Sequence, residues 1–315
     1  MINKLLTMEV FVQVVDTGGF TRASDTLKLP KATVTTLIQS LETSLSVKLL
    51  NRTTRHVSVT AEGASFYERC LRILSEVRDA EDAVSLHRLS PSGRLRADVP
   101  TGLASEVIIP ALPDFFERYP DIRLELGCSD RPVDLLEEGV DCAIRGGRQL
   151  ADSRLIARSV GTMHYATCAS PAYLERHGRP LHPNDLAHHR CVNYFSARTG
   201  KTFDWYFTRA EERVQVALSS HIALSDSYAY TAAGLSGLGI VQMADFLMAP
   251  WVRDGRLVTV LDDWANEPLP VYAVYPENRH LSTKVRVFVD WIAELFANTG
   301  TLRREPSTVA GHRTR

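Results

Sequence analysis

Apolar residues recur at helical spacing from the start of the chain. Leu5, Met8, Phe11, Val12 and Val15 share one face, as positions three and four apart do on an α-helix. Gly18-Gly19 ends that helix, and Thr21 is placed to cap a second one running to about Leu27. Pro30 opens a third, where its missing N–H does no harm. In it Val34, Leu37, Ile38 and Leu41 fall at i, i+3, i+4 and i+7, which predicts one buried face. Lys31, Thr35, Thr36, Gln39 and Ser40 are left on the other. After Val47 the period changes: residues 49–52 and 56–59 flank Thr53-Thr54-Arg55 and read as a short hairpin. Thr60 caps a further helix to about Leu89, with Glu62 near its positive end. Along it Tyr67, Leu71, Leu74, Val77, Glu81 and Val84 form a stripe with a mean spacing near that of a coiled-coil seam, which predicts pairing with a helix of a second subunit. Ser90-Pro91-Ser92-Gly93 is a helix breaker and a candidate hinge.

From Arg94 strands and helices alternate. Strands are expected at 95–99, 122–127, 140–145, 165–169, 191–194, 203–208, 214–217, 239–242 and 271–275. Helices are expected at 104–118, 133–138, from Pro171, at 227–234 and at 284–297. Such alternation implies an α/β fold with a mostly parallel sheet. The expected organisation is a helical unit over 1–61, a linker helix over 62–89 and a hinge over 90–93. Two α/β subdomains follow, one from 94–163 with 269–298 and the other from 164–268. Residues 299–315 show no apolar pattern and read as a mobile tail.

Composition narrows this picture only slightly. The chain has 315 residues, 44% hydrophobic and 23% charged, which argues against global disorder. No apolar run reaches the length of a membrane span and the opening residues lack the pattern of a secretory leader, so a cytoplasmic location is expected. Charge is distributed unevenly. Residues 1–61 hold seven Lys/Arg against four acids, residues 301–315 hold four Arg against one Glu, and the rest carries a net −7. A basic head on an acidic body suits an anionic partner for the head. Five widely spaced cysteines without a CxxC argue against a disulfide framework or a structural zinc site. Cys128, Cys142 and Cys168 lie in or beside apolar runs and are expected to be buried, with redox sensing a lesser possibility.

The segment Phe20–Glu42 is a helix–turn–helix candidate, a motif that delivers its second helix to the DNA major groove. An ordinary pair of packed helices is the plainer alternative. Three features favour DNA: small residues plus Lys31 and Gln39 on the polar face, a following hairpin carrying Arg52 and Arg55, and the basic, terminal position of the unit. The run Phe11-Val12-Gln13-Val14-Val15, Gly18-Gly19-Phe20-Thr21-Arg22-Ala23-Ser24, Leu27, Val34-Thr35-Thr36, Ile38, Leu41-Glu42, Val47 to Arg55 and Thr60-Ala61-Glu62-Gly63 resembles the LysR-type transcriptional regulators. Further along, Val140–Arg145 and Ala233–Ile240 are similar to the family's landmarks.

The resemblance implies a winged helix–turn–helix on double-stranded promoter DNA, followed by two subdomains like those of a type II periplasmic binding protein. It also implies a homodimer or homotetramer, RNA polymerase as a partner, and a small effector between the subdomains. Base-edge contacts would fall on Lys31, Ala32, Thr35 and Thr36, joined on the same face by Gln39. Phosphate contacts would fall on Thr21, Arg22, Arg52 and Arg55. Many members carry Gln-Pro and Ser-Arg where this chain has Lys31-Ala32 and Thr35-Thr36. Thr36 lacks an arginine's bidentate grip on guanine, so Lys31 is expected to carry more of the specificity.

In open α/β sheets ligands bind beyond the carboxyl ends of the strands. That points to Thr101, Gly102, Ser129-Asp130 and Arg145-Gly146-Gly147 in one subdomain, and to Ser170, Asp226 and Ser227 in the other. Hydroxyl and glycine residues at helix starts favour an anion, so a small carboxylate is the expected effector. Plain helix caps, and an internal ion pair for Arg145, are the alternatives. No cofactor and no metal are expected. An enzyme is the main rival, but Leu238 stands where a nucleophile elbow around Ser236 needs glycine, and His182, His188 and His189 lack metal-site spacing. A solute-binding protein is the other rival, and it would not need the basic head.

Overall fold

The computed structural model describes residues 3–52, 57–84, 91–147, 155–218, 220–277, 281–300 and 302. The chain forms two compact units, Met1–Leu89 and Ser90–Arg315.

In the first unit α1 (Lys4–Thr17) starts at Asn3, whose side chain accepts from the Leu6 N–H, and stops at Gly18 in the left-handed conformation, φ +67°. The turn leads through Gly19 into α2 (Phe20–Leu27), so Thr21 lies inside the helix and does not cap it; no side chain caps that start. The helix begins one residue before the expected cap because the double-glycine turn already aims Phe20 into it. Helix α3 (Lys31–Leu45) follows Pro30. Strands β1 (Leu50–Arg52) and β2 (Val57–Val59) pair antiparallel, with Leu50 opposite Val59. Helix α4 (Ala61–Val84) is capped by the Thr60 hydroxyl, which accepts from the Gly63 N–H at 2.9 Å. The remaining expected helix, residues 85–89, lies outside the described residues.

Val10, Phe11, Val14, Ala23, Val34, Ile38, Leu49, Leu50 and Cys70 form the core of this unit. The apolar spacing on α1 and α3 is thus the source of its stability: burying such faces removes apolar surface from water.

The second unit opens with β3 (Gly93–Val99), so Gly93 already belongs to a strand and not to a hinge. Next come α5 (Thr101–Leu103), a π-helical turn (Ala104–Ile108) and α6 (Ile109–Arg118), which run on as one helix. Then follow β4 (Ile122–Cys128), α7 (Leu135–Glu138), β5 (Cys142–Gly146) and β6 (Leu155–Met163). After these come β7 (Tyr165–Ala169), α8 (Pro171–His177), a short 3-10 helix (Pro183–His188), β8 (Asn193–Tyr194), β9 (Trp205–Arg209) and β10 (Glu212–Val216). The chain continues through β11 (Ala223–Leu224), α9 (Ser227–Leu235), β12 (Val241–Ala244), α10 (Asp245–Arg253), β13 (Val258–Thr259) and β14 (Ala265–Asn266). It ends with β15 (Leu269–Pro276) and α11 (Thr283–Asn298).

The larger sheet has the order β4-β3-β5-β15-β6. Only its β3–β4 and β3–β5 pairs are parallel; β15 is antiparallel to both β5 and β6. A second sheet, β12-β7-β13, is antiparallel throughout. The fold is α/β, but its sheets are mixed where a mostly parallel arrangement was expected. Strand β15 is reached from β14 with no helix between them and runs antiparallel to both β5 and β6, and it is crossover connections that impose parallel pairing.

Leu302 is fully buried and its carbonyl accepts from the Thr162 N–H, so the segment expected to be mobile from 299 is anchored there. The remainder of that segment, beyond Leu302, lies outside the described residues. Among the described residues no helix is long and apolar enough to cross a membrane.

Candidate DNA interface and ligand cleft

Helix α3 divides its residues by periodicity. Val34 and Ile38 are fully buried against α1 and α2, whereas Lys31, Ala32, Thr36 and Gln39 are exposed and Thr35 is half-buried. The face left to solvent is therefore the one proposed for base contact. Its two threonines are chemically constrained. The Thr35 hydroxyl donates to the Lys31 carbonyl and the Thr36 hydroxyl to the Ala32 carbonyl, both at 2.9 Å. With each proton committed one turn back, these side chains offer a methyl group and an acceptor lone pair. That pairing suits a thymine methyl or the amino groups of adenine and cytosine, and not the acceptors of guanine.

Thr21 and Arg22 are exposed on α2. Arg52 ends β1, and Arg55 lies outside the described residues. Sequence reasoning overlooked what holds the hairpin in place. The Glu42 carboxylate, near the end of α3, accepts from the Leu49 and Leu50 N–H groups at 2.9 and 3.1 Å. One acidic side chain thus fixes the start of the hairpin on α3. A glutamate eight residues before a strand gives no pattern that would announce this.

In the second unit, three of the residues that the sequence pointed to, Thr101, Asp130 and Ser227, meet at one place. Asp130, just after β4, accepts from the Thr101 N–H through Oδ1 at 3.0 Å and from the Ser227 N–H through Oδ2 at 2.6 Å. Thr101 opens α5 beside the larger sheet, and Ser227 opens α9 beside the second one. A single carboxylate therefore spans the two halves and sits at the positive end of both helical runs, where free N–H groups favour negative charge. The Tyr194 hydroxyl donates to the Ser225 carbonyl at 3.0 Å. Burial, followed by the charge and hydrogen-bonding of Asp130 beside it, pushes the phenol's pKa well up. Asp226 caps α9 conventionally, accepting from the Ala229 N–H at 2.8 Å. Ser227 is 5% exposed, and its hydroxyl oxygen has no hydrogen-bond partner among the described residues.

Two further contacts cross between the halves. The Tyr228 hydroxyl donates to Glu106 at 2.7 Å. Gly102 is buried, and a Cβ built there would stand 2.7 Å from Leu247 Cδ1, so glycine lets α5 approach α10. Gly102 is thus a packing residue. Ser129 lies beside Asp130, its hydroxyl accepting from the Arg131 N–H.

Two expected effector residues are elsewhere or engaged. Arg145 makes a buried ion pair with Asp98, the internal pairing that was its alternative reading. Burial raises the Asp98 pKa and the Arg145 hydrogen bond opposes that rise. Ser170 caps α8 and lies next to Gly237, past the far end of α9 from Ser227. It lines a separate hollow of about 410 Å³ with Arg176, Ser236 and Arg256. Expecting it at the cleft assumed parallel strands. Because β7 runs antiparallel to β12, its carboxyl end points away from the start of α9.

Cys70, Cys142, Cys168 and Cys191 are buried, and burial raises their pKa values, those of Cys70, Cys168 and Cys191 to about 12. Cys128 is exposed, contrary to expectation, because it ends the edge strand β4 beyond the core. Its pKa is also raised, by partial burial and then by Asp98, so it too lacks the depressed pKa of a reactive thiol. His182 is a structural residue. Its ring accepts from the Asn184 N–H, packs edge-on against Trp264 and contacts Glu212. Among the described residues no group of three His, Cys, Asp or Glu is placed to hold a metal ion.

Comparison with known proteins extends over the whole arrangement. Residues 5–64 match the family described as bacterial regulatory helix-turn-helix protein, lysR family, and residues 88–297 match the LysR substrate binding domain. A transcriptional repressor of Pseudomonas aeruginosa strain UCBPP-PA14 is 41% identical, covering 98% of this chain and 97% of its own length. The solved structure of CrgA, a LysR-type transcriptional regulator from Neisseria meningitidis, is 36% identical with a TM-score of 0.57, over 92% of this chain and 97% of that one. The full-length virulence activator AphB of Vibrio cholerae is 33% identical with a TM-score of 0.55, over 92% and 98% of the two chains.

Proposed function

The chain belongs to the LysR family of DNA-binding transcriptional regulators, and from that premise we propose that it reads one operator sequence through the exposed face of α3 while a small effector between the two halves of the second unit sets its activity. The observation that carries this reading is the split of α3: Val34, Ile38 and Leu41 are buried, and Lys31, Ala32, Thr36 and Gln39 are exposed. Lys31 is the base-reading cation of that face, with Thr35 and Thr36 preferring bases that present a methyl or an amino group. Arg22, Arg52 and Arg55 act on phosphates, which fix position and supply salt-dependent affinity without reading sequence. The stripe along α4 pairs two copies, and two such pairs make a homotetramer whose regulatory units meet RNA polymerase at the promoter.

Control by an effector requires two states of the regulatory unit with unequal affinity for it. The cleft spanned by Asp130 between Thr101 and Ser227 is where such a difference would arise.

Mobility shifts of the purified protein with promoter fragments test the reading. Lys31→Ala is expected to weaken operator binding by about 1–3 kcal/mol and leave random-DNA binding much less changed, whereas Arg52→Ala lowers both and flattens the salt dependence. Equal losses on operator and random DNA for Lys31→Ala would remove α3 as the reading element.

A further inference from the structure

The start of α9 already holds a carboxylate. Asp130 comes from the opposite half of the unit and lies 97 residues earlier in the chain, yet its two oxygens take the first N–H of α9 and the first N–H of the helical run that starts at Thr101. A side chain that only terminated its own loop would need neither. The Ser227 hydroxyl gives a second and independent sign: it is buried on the residue that holds Asp130, and no described group uses it. A buried hydroxyl without a partner costs free energy unless something supplies one in another state. Asp226 does not compete for this place, because it accepts one turn further in, from Ala229.

We propose that the Thr101–Ser227 site is a carboxylate seat and that Asp130 is its built-in occupant, an internal competitor that a carboxylate effector must displace. The proposal rests on the reading of this cleft as the effector site. It assigns the effector's chemical class, one carboxylate able to accept from two backbone N–H groups and the Ser227 hydroxyl. It also assigns Asp130 the role of setting how much effector is needed. A free carboxylate cannot share the seat with Asp130, since two like charges at hydrogen-bond distance from the same donors repel. Exchange therefore separates the two halves at the point where Asp130 joins them, and that separation is a difference between states on which an effector can act.

Acetate is the probe. Full-length Asp130→Ala leaves both N–H groups open, and acetate should bind the variant at least about tenfold more tightly than the parent chain, because charge-assisted hydrogen bonds to open donors replace an occupied seat. Binding is read as an acetate-dependent rise in melting temperature that chloride at equal ionic strength does not reproduce. Asp130→Asn keeps the bulk and one acceptor oxygen, so the seat stays plugged and the variant should stay as indifferent to acetate as the parent. Should Asp130→Ala not fold, Asp130→Ser is read in the same way. Acetate acting equally on parent and variants, or on none of them, overturns the assignment. Acetate binding by Asp130→Ala without any change in operator mobility upholds the seat and overturns the effector reading of the cleft, so the two failures are distinguishable.

Discussion

The exposed face of α3 and the seat at the start of α9 both present polar groups on helices, but the two are finished in opposite ways. On α3 the outward groups are left to water: Lys31 and Gln39 are exposed, and the threonine hydroxyls are satisfied within their own helix. At α9 the open N–H groups are closed by a carboxylate from a distant part of the chain. A surface that meets a polyanion from solvent can remain open, since water satisfies it until DNA arrives. A half-buried cleft between two α/β layers cannot, because unpaired donors there carry the full desolvation cost. The protein therefore supplies its own anion where a ligand would otherwise be required.

The largest expected effect breaks the comparison from the α3 side. Ile38 is fully buried in the core of the first unit, whereas Lys31, in the first turn of α3, is exposed. Ile38→Ala should destabilise the first unit by about 2–5 kcal/mol through lost burial and a cavity. Chemical denaturation followed by a probe in each unit should show the first unit's transition moving to lower denaturant while that of residues 90–315 stays in place. Shifts of equal size in both transitions would show that the two units do not unfold separately.

A smaller effect sharpens the comparison from the cleft side. Gly102→Ala places a Cβ against both methyl groups of Leu247, at 2.7 and 2.9 Å. The obstacle is the end of a side chain, so the cost should be about 1–3 kcal/mol and fall further if Leu247 rotates. The expected result is a lower melting temperature for the second unit, together with tighter acetate binding in the Asp130→Ala background, because the halves are pushed apart at the seat. An unchanged acetate affinity would mean that the α5–α10 contact and the seat are not mechanically linked.

The two regions were also unequally legible in the sequence. The α3 face follows from a period of three and four within one helix, so the positions of Val34, Ile38 and Gln39 were readable from their spacing, whereas Lys31, seven positions before Ile38, is exposed because it lies in the first turn. The resemblance to the LysR family then supplied their meaning. The seat depends on pairings 29 and 97 positions apart, from Asp130 to Thr101 and to Ser227, and no period reports these. Thr101, Asp130 and Ser227 could each be read as cleft positions, but the pairing of Asp130 with both helix starts could not. Arg145 was picked out for its place at a strand end, yet its partner Asp98 is 47 positions away. Ser170 was misplaced because strand direction, unlike strand existence, leaves no mark on a run of five residues. Cys128 was taken as buried from its apolar neighbours, whereas its exposure follows from lying at the end of an edge strand.

The smallest expected effect concerns pH and distinguishes the second unit from the first. His189 follows the 3-10 helix, its Nδ1 3.2 Å from the Tyr173 hydroxyl. Burial lowers its pKa; Asp185 opposes that, and the nearby His177 and His188 add to the lowering. A histidine with a depressed pKa binds fewer protons folded than unfolded, so its contribution to stability is present above the unfolded value and is lost as pH falls toward the folded one. The second unit should therefore weaken as pH drops below about 6.5, and His189→Gln should remove part of that slope. The residue is partly exposed, so solvent screening holds the difference to roughly 0.5 kcal/mol or less. Urea midpoints at pH 8 and pH 5.5 measure it. Because Tyr173 also bonds the Arg190 backbone in both directions, at 2.8 Å from its N–H and 3.2 Å to its carbonyl, the glutamine variant should keep the local fold at pH 8. An equal pH slope in parent and variant would move the acid sensitivity to other groups.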